Sequence, residues 1–179
     1  QIFLEWTLTN IWFLKLGIII PTFQEESNIQ TTVSSVCDFL EKQKIDHEII
    51  IVDDHSSDST EKIINNLKSK NQRIKFFLND SQRGFGNSIV IGIDRSNSDL
   101  ICILMADYSD SLNDLLEYYN LMIDNNNLDC VFGDRWIKGS VKNYPFFKKI
   151  LNRFGNYFIS TIFNVKYYDF TNSFKIYRR

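Results

Sequence analysis

The stretch Glu48–Thr60 reads E-I-I-I-V-D-D-H-S-S-D-S-T and decides the fold class of this chain. Ile49–Val52 is an unbroken run of β-branched residues, which is typical of a strand buried on both faces of a parallel sheet. The run ends in Asp53 and Asp54, and ligands of open α/β sheets bind beyond the carboxyl ends of the strands. Two acids there can accept hydrogen bonds from the hydroxyls and base edge of a nucleotide, or they can simply begin a polar loop. The Ser, Asp and Thr residues that follow are suited to cap a helix beginning near Glu61.

Apolar strands and amphipathic helices alternate along most of the chain. The predicted strands are Leu16–Ile20, Glu48–Val52, Ile74–Leu78, Leu100–Leu104 and Cys130–Phe132. The predicted helices run from about Glu26 to Lys44, Glu61 to Lys70, Ser88 to Ser96, Asn113 to Asn125 and Phe146 to Val165. Because the strands are apolar throughout, they predict an α/β fold with a mostly parallel sheet flanked by helices on both faces. We expect one domain over residues 17–179, preceded by an extension of unclear role at residues 1–16.

Composition and charge argue against several function classes. The chain has 179 residues, 44% of them hydrophobic, which is enough for a real core. Its net charge of -2 lacks the basic excess of a nucleic-acid-binding protein. With only His47 and His55 present, a histidine-based metal site or a Ser-His-Asp triad is not expected. Cys37, Cys102 and Cys130 are isolated, which predicts free thiols in a reducing compartment. We find no segment with the pattern of a membrane span or a signal peptide.

The loop Met105–Asp110 (M-A-D-Y-S-D) is a candidate metal site. Asp107 and Asp110 leave the end of a buried strand close enough together to share one divalent ion. Carboxylates are hard oxygen ligands that suit Mg²⁺ or Mn²⁺, which the phosphates of a nucleotide would also hold. For Asp110, helix capping is an equal alternative, because Asp110 or Ser111 directly precedes the helix at Asn113.

Two further strand ends carry groups that could meet a phosphate. Arg83–Asn87 (R-G-F-G-N) only superficially resembles a phosphate cradle, and its glycines rather indicate a sharp turn or a close approach of the backbone to a ligand. Arg135 follows the strand at Cys130–Phe132. Its guanidinium could neutralise a diphosphate or form a surface salt bridge.

The last third of the chain is aromatic and basic. One helical face of Phe146–Val165 carries Phe147, Ile150, Leu151, Phe154 and Phe158, with Lys148, Lys149 and Arg153 beside it. Such a helix can rest in a membrane interface, or it can pack in the core with its basic residues facing water. The periodicity alone favours the core.

Five segments, in this order, resemble the family 2 glycosyltransferases of the GT-A (Rossmann-like) fold, specifically the dolichyl-phosphate mannosyltransferase-like branch. They are Ile18–Ile29 (I-I-I-P-T-F-Q-E-E-S-N-I), Glu48–Thr60, Arg83–Ile89 (R-G-F-G-N-S-I), Gly133–Ser140 (G-D-R-W-I-K-G-S) and Asp169–Arg179 (D-F-T-N-S-F-K-I-Y-R-R). The resemblance implies an inverting hexosyltransferase that uses GDP-mannose or UDP-glucose, with Mg²⁺ or Mn²⁺ as cofactor. It also implies a polyprenyl phosphate acceptor, and hence peripheral association with the cytoplasmic face of a membrane.

The resemblance assigns site residues as well. Those implied to hold the nucleotide sugar are Pro21, Phe23, Glu25, Asp53, Asp54, Arg83, Gly84 and Asp107. Asp107 matches the second acid of the family's D-x-D metal motif and Arg135 faces the diphosphate, so these two are the implied catalytic residues. Those implied to face the acceptor phosphate are Lys148, Lys149 and Arg153.

Three departures from the family pattern qualify these expectations. Met105 stands at the first acid of the D-x-D motif, so either Asp110 supplies the missing carboxylate or metal binding is weakened or lost. Asp134 stands where the family usually has a small residue. The chain stops at Arg179, where such domains usually continue, which suggests a truncated domain. The alternatives are a non-catalytic nucleotide-sugar-binding module, a transferase with a polysaccharide or other alcohol acceptor, and a nucleotidyltransferase.

Overall fold

A computed structural model describes residues 14–134, 146–165 and 169–179, with residues 146, 148 and 149 described by their backbone alone. The strands are β1 (Leu16–Thr22), β2 (His47–Asp53), β3 (Ile74–Leu78), β4 (Leu100–Ile103), β5 (Cys130–Phe132) and β6 (Lys175–Arg178). The helices are α1 (Ile29–Lys42), α2 (Thr60–Lys70), α3 (Phe85–Arg95), α4 (Leu112–Asp124) and α5 (Phe146–Phe163). The strands form one six-stranded sheet in the order β3-β2-β1-β4-β6-β5.

The predicted parallel sheet is confirmed for the first four strands. β1 pairs in parallel with β2 and β4, and β2 pairs in parallel with β3. On one face of the sheet, Ile18 and Ile20 join a core with side chains of α1, α2 and α4. On the other face, α3 approaches β1 so closely that a Cβ at Gly92 would lie 2.5 Å from Cγ2 of Ile19. Burial on both faces explains the apolar runs of β1, β2 and β4, whose residues are all buried.

One strand was not predicted. β6 runs antiparallel between β4 and β5, where sequence reasoning assigned only a motif, Asp169–Arg179. Because β6 runs against its neighbours, its first residue, Lys175, pairs with Ile103 and Phe132 at the carboxyl ends of β4 and β5. The reversal therefore brings the segment before β6 to the same edge of the sheet as the strand-end acids.

Several element boundaries differ from the prediction at that edge. β1 and β2 extend further than expected, so that Thr22 pairs with Asp53. α3 begins at Phe85 and not at Ser88, directly after Gly84, whose φ of 139° favours glycine.

A buried carboxylate near the amino-terminal end of β2 fixes the position of the connection between α3 and β4 against β2. Glu48 is 1% exposed, and its carboxylate joins β2 to the connection between α3 and β4. The donors to it are Lys15 Nζ (3.1 Å), Lys75 Nζ (2.7 Å), Ser96 Oγ (2.9 Å), the Asn97 N–H (2.7 Å) and Ser98 Oγ (2.9 Å). Burial alone would raise the pKa of Glu48, but these hydrogen bonds outweigh it and lower the pKa to about 2.

The prediction that α5 packs in the core is wrong. Phe147, Leu151, Phe154 and Phe158 are exposed, whereas Asn156 is buried. The helical period identified an apolar face but could not say whether that face meets the protein. In the part of the chain that the structure describes, no helix is both long enough and apolar enough to cross a bilayer.

The cysteine prediction is confirmed as far as bonding goes. Cys37, Cys102 and Cys130 are free thiols, the first two of them buried. Burial raises the pKa of Cys37 to about 11, which leaves this thiol unreactive at neutral pH.

Candidate functional site

The candidate site lies beyond the carboxyl ends of β1, β2 and β4. Because these strands are parallel neighbours, the loops that follow them emerge at one edge of the sheet. The loop before α3 and the segment before β6 reach the same edge.

The loop after β1 is fastened to the loop after β2. The Ser, Asp and Thr residues predicted to cap α2 serve here mainly as partners across the two loops. The bonds run from the Gln24 N–H to Ser56 Oγ (2.8 Å), from the Glu25 N–H to Thr60 Oγ1 (2.9 Å), from the Glu26 N–H to Asp58 Oδ2 (3.3 Å) and from the Ser59 N–H to Glu26 Oε2 (2.9 Å). The two loops form one surface, which we call the loop platform (residues 22–28 and 53–60).

Asp53 is the buried residue of this platform. It is fully buried, and its carboxylate accepts hydrogen bonds from the backbone N–H of Ser56 (2.9 Å) and from the Ser56 hydroxyl. These bonds close the turn that leaves β2. The structure therefore gives Asp53 a role in shaping the loop, and its contact with a nucleotide stays a prediction.

Asp54 lies at the surface of the platform and connects it to the stretch Arg83–Asn87, which we call the glycine loop. Its Oδ2 accepts from the Gly84 N–H at 3.0 Å, and its Oδ1 accepts from Asn79 Nδ2 at 2.7 Å. Arg83 donates from Nη2 to the backbone oxygen of His55 at 3.1 Å. The structure thus brings together three of the predicted residues, Asp54, Arg83 and Gly84.

The remaining predicted residues of β1 and its loop occupy different environments. Pro21 is buried within β1, and Phe23 presents an exposed ring at the surface of the platform. Glu25 accepts from Asn28 Nδ2 at 3.0 Å, immediately before α1. Of these three, Phe23 has the geometry to stack against a planar base.

Sequence reasoning missed that each of the three strand-end loops holds a non-glycine residue in the left-handed region. These are Gln24 (φ 55°), His55 (φ 61°) and Tyr108 (φ 61°), which follow β1, β2 and β4 respectively. Such residues cost about 1–3 kcal/mol each and cluster at active sites and ligand clamps. No sequence signal marks them, because glycine is the residue usually expected in this conformation.

The acids of the loop after β4 are divided between structural and open positions. Asp107 is exposed, and its Oδ1 accepts from the Ser109 N–H at 3.0 Å. Asp110 Oδ2 accepts from the Met105 N–H at 2.7 Å and so closes the loop. The cap of α4 is Ser111, whose Oγ accepts from the Asp114 N–H at 3.3 Å.

The carboxylates of Asp107 and Asp110 suit a divalent ion only if substrate phosphates supply further ligands. Within residues 14–134, 146–165 and 169–179, no three acidic, histidine or cysteine side chains come together as a metal cluster. Mg²⁺ in nucleotide sites is usually held by one or two carboxylates together with substrate phosphates. Asp107 suits that arrangement, whereas one carboxylate oxygen of Asp110 already accepts a hydrogen bond from the Met105 N–H.

Lys175 is a basic residue at this edge that sequence reasoning did not single out. Its Nζ donates to the Phe170 backbone oxygen at 3.1 Å and lies 5.0 Å from the centre of the Phe132 ring. It lies at this edge because β6 runs antiparallel to β4 and β5, a direction that the sequence alone does not give. Arg153 is exposed on α5. Arg135 and the side chains of Lys148 and Lys149 lie outside the described residues.

Comparison with known proteins gives a consistent result. The model of the family described as Glycosyl transferase family 2 matches residues 17–179. The dolichol-phosphate mannosyltransferase of Pyrococcus furiosus is 28% identical over 144 residues, which are 78% of this chain and 39% of that protein. The dodecaprenyl-phosphate galacturonate synthase of Rhizobium johnstonii is 30% identical over 168 residues, which are 92% of this chain and 48% of that protein. The chain therefore spans less than half the length of these two relatives.

A solved structure shares the fold. The glucosyl-3-phosphoglycerate synthase of Mycobacterium tuberculosis, crystallised with Mn²⁺, uridine diphosphate and phosphoglyceric acid, aligns with a TM-score of 0.69 at 11% identity. The alignment covers 92% of this chain and 56% of that chain. It confirms the predicted fold class.

Proposed function

This chain belongs to glycosyl transferase family 2 and has the GT-A fold, and from that premise we propose that it transfers a hexose from a nucleotide sugar to a polyprenyl phosphate. The observation that carries the proposal is the junction at Asp54, which joins the loops after β2 and β3. The Asp54 carboxylate, the Arg83 guanidinium and the exposed Phe23 ring all lie on loops at the edge of the sheet where α/β proteins bind ligands.

We assign the nucleotide to this platform. The Phe23 ring offers a stacking surface for the base, and the Asp54 carboxylate can accept from donors on the base or ribose. Arg83 is exposed and holds the His55 carbonyl through one nitrogen, so its other donors can meet a phosphate. Glu25, Asp53 and Pro21 fix the shape of the loops beneath the nucleotide.

The diphosphate lies, in this proposal, toward the loop after β4. Asp107 would hold Mg²⁺ or Mn²⁺ there, and such an ion supplies charge neutralisation to a departing nucleoside diphosphate. Arg135 would add a positive charge to the same leaving group. The Mn²⁺ in the mycobacterial enzyme supports a divalent cofactor for this fold.

A polyprenyl phosphate acceptor would explain why this chain has few candidate general bases. A phosphate monoester has a second pKa near 6, so a polyprenyl phosphate is already largely anionic at neutral pH and needs no strong base to attack. Direct attack on the face opposite the leaving group would invert the anomeric carbon. We assign Lys148, Lys149 and Arg153 to the acceptor phosphate, and an alcohol acceptor would instead require a base such as Asp110 or Asp134.

The two relatives support the lipid acceptor. Their names specify a dolichol phosphate and a dodecaprenyl phosphate, and the donor sugars differ between mannose and galacturonate. We propose mannose or glucose, from GDP-mannose or UDP-glucose, and action at the cytoplasmic face of a membrane.

The identity of the nucleotide product tests this function against its rivals. The protein is incubated with GDP-mannose or UDP-glucose and polyprenyl phosphate, with Mn²⁺ or with a chelator, and nucleotides are separated by chromatography. A hexosyltransferase releases GDP or UDP only when acceptor is present. In a parallel incubation with GTP or UTP and a hexose 1-phosphate, release of pyrophosphate would identify a nucleotidyltransferase, and nucleotide binding without any product in either incubation would identify a binding module.

A further inference from the structure

His55 follows β2 in a backbone conformation that histidine seldom adopts. Its φ of 61° lies in the left-handed region, where the Cβ atom crowds the backbone and where glycine or asparagine is the usual residue. The residue is exposed, so burial of the ring does not explain why a histidine is held there. Strain of this kind persists only where surrounding contacts maintain it, and it clusters at ligand-binding sites.

The imidazole ring of His55 joins the loop platform to the end of β3. Its Nε2 lies 2.8 Å from the backbone oxygen of Asn79, the residue that directly follows β3. Because a carbonyl oxygen can only accept a hydrogen bond, Nε2 carries the proton and donates. The contact therefore depends on a donor at the position of Nε2, the ring nitrogen farther from Cβ.

Asn79 is a firm anchor for this bond, because it is fully buried and each of its polar groups has a partner. Its N–H donates to the Asp53 oxygen at 2.8 Å, and its Nδ2 donates to Asp54 Oδ1 at 2.7 Å. Its Oδ1 accepts from the Ser81 N–H at 3.0 Å. A residue fixed from so many sides can hold His55 in its strained conformation.

The backbone of His55 in turn holds Arg83. The Nη2 of Arg83 donates to the His55 oxygen at 3.1 Å. Arg83 is exposed, and a long side chain at the surface otherwise samples many rotamers, so this bond restricts it to few of them. Two consecutive residues thus fasten the glycine loop, since Asp54 accepts from the Gly84 N–H at 3.0 Å.

We propose that His55 is a positioning residue, whose ring bond to Asn79 aims the Arg83 guanidinium at the phosphates of the bound nucleotide. This role rests on the proposed function in one respect, because it requires a nucleotide on the loop platform. His55 itself does not contact the phosphates. It fixes the Arg83 side chain before the ligand arrives, which lowers the entropic cost of binding and leaves the other guanidinium donors for phosphate oxygens.

Two near-isosteric substitutions test the ring bond. The amide nitrogen of glutamine can occupy the position of Nε2, whereas the amide nitrogen of asparagine occupies that of Nδ1 and does not reach the Asn79 oxygen. Asparagine also tolerates a positive φ, so His55→Asn adds no strain. Isothermal titration calorimetry measures the affinity for GDP or UDP, whichever wild type binds more tightly. His55→Asn should weaken binding about five- to tenfold, and His55→Gln should bind within about twofold of wild type.

A double-mutant cycle shows whether His55 acts through Arg83. Arg83→Gln alone should weaken binding by about tenfold, and H55N/R83Q should bind no more weakly than Arg83→Gln alone. Losses that multiply in the double variant would mean that His55 acts independently of Arg83, which overturns the proposal. A folded His55→Asn that binds like wild type overturns it as well, and so do equal losses in His55→Asn and His55→Gln.

Lys44 offers a matched control. It is exposed, it has a φ of 59°, and it lies before β2, at the end of that strand remote from the loop platform. Lys44→Asn should therefore bind the nucleotide like wild type, and an equal loss there would overturn the proposal. Thermal unfolding followed by circular dichroism checks that each variant is folded. If His55→Asn does not fold, His55→Gly takes its place with the same expectation, because glycine accepts the positive φ and offers no donor.

The outcome is distinguishable from failure of the proposed function, because nucleotide binding is measured without any acceptor. A chain that shows the expected coupling between His55 and Arg83 but transfers no sugar contradicts the proposed function alone. A chain that transfers sugar, and whose His55→Asn variant binds nucleotide like wild type, contradicts the role of His55 alone. Wild type that binds neither GDP nor UDP contradicts both.

Discussion

The carboxylate of Asp54 accepts a hydrogen bond from the backbone N–H of Gly84 at 3.0 Å. The residue predicted to touch the nucleotide therefore also holds the glycine loop that opens α3. A ligand-binding acid that is already fixed by a neighbouring loop is pre-organised, which lowers the entropic cost of binding.

We predict that Asp54→Asn weakens binding of GDP or UDP by about tenfold to a hundredfold, because an amide cannot accept from both Gly84 and the ligand as a carboxylate does. Asp80→Asn removes the same charge from an exposed position in the adjoining loop and should leave affinity unchanged. Isothermal titration calorimetry measures both. Equal affinities for the two variants would remove Asp54 from the nucleotide site.

Metal binding should depend on the nucleotide. Asp107 alone, with Asp110 bonded to the Met105 N–H, offers too few ligands for Mn²⁺ without phosphate oxygens. We expect no saturable Mn²⁺ binding to the free chain, and clear binding once GDP or UDP is present, by electron paramagnetic resonance.

Restoring the missing acid sharpens that test. Met105→Asp should give measurable Mn²⁺ binding without nucleotide, whereas the uncharged control Met105→Asn should not. Tight Mn²⁺ binding by the unmodified free chain would show that other residues complete the site.

Glu48 should stabilise the fold in a pH-dependent way. Its pKa falls from the ordinary 4.5 to about 2 in the folded chain, so its contribution is complete above pH 4.5 and is lost as the pH falls toward 2. Glu48→Gln should lower the free energy of unfolding by about 2–3 kcal/mol at pH 7, measured by urea denaturation, and the difference from wild type should shrink between pH 4.5 and 3. Glu117→Gln, at an exposed position of α4, is the control. A difference that does not change with pH would contradict the assignment.

His47 should make the free energy of unfolding depend on pH in a higher range than Glu48 does. Burial lowers its pKa below 6.5, so the unfolded chain takes up a proton before the folded chain does as the pH falls. The free energy of unfolding should therefore decrease from pH 7.5 to 5.5. His47→Gln should flatten this slope, and a variant with the wild-type slope would rule His47 out as its cause.

The sequence predicted the centre of the fold well because Ile49–Val52 and its counterparts are buried on both faces. It also located Asp53 and Asp54 correctly at a strand end. It did not separate their roles, although the reason is simple. Asp53 is the last residue of β2 and is fully buried, whereas Asp54 already belongs to the loop and is only half-buried, so their difference depends on where the strand ends.

Two features could not be read from local pattern. β6 is the four-residue stretch K-I-Y-R, and only Ile176 in it is fully buried. Such a stretch is too short to predict a strand without knowledge of its partner strands. The apolar stripe of α5 was visible, but the bonds of Asn152 and Asn156 to the segment before β6 decide which way it points. Both depend on contacts between residues far apart in the sequence.

Transfer of label into lipid tests the central proposal most directly. Wild type and Asp107→Asn are incubated with Mn²⁺, detergent-dissolved polyprenyl phosphate and sugar-labelled GDP-mannose or UDP-glucose, and radioactivity is counted in the organic phase. Asp114→Asn, an exposed acid in the first turn of α4, is the matched control. We predict metal-dependent label in the lipid from one donor for wild type and Asp114→Asn, with a loss of about a hundredfold or more in Asp107→Asn. Label that never enters the organic phase, from a folded chain that binds the nucleotide, would contradict the proposed transferase.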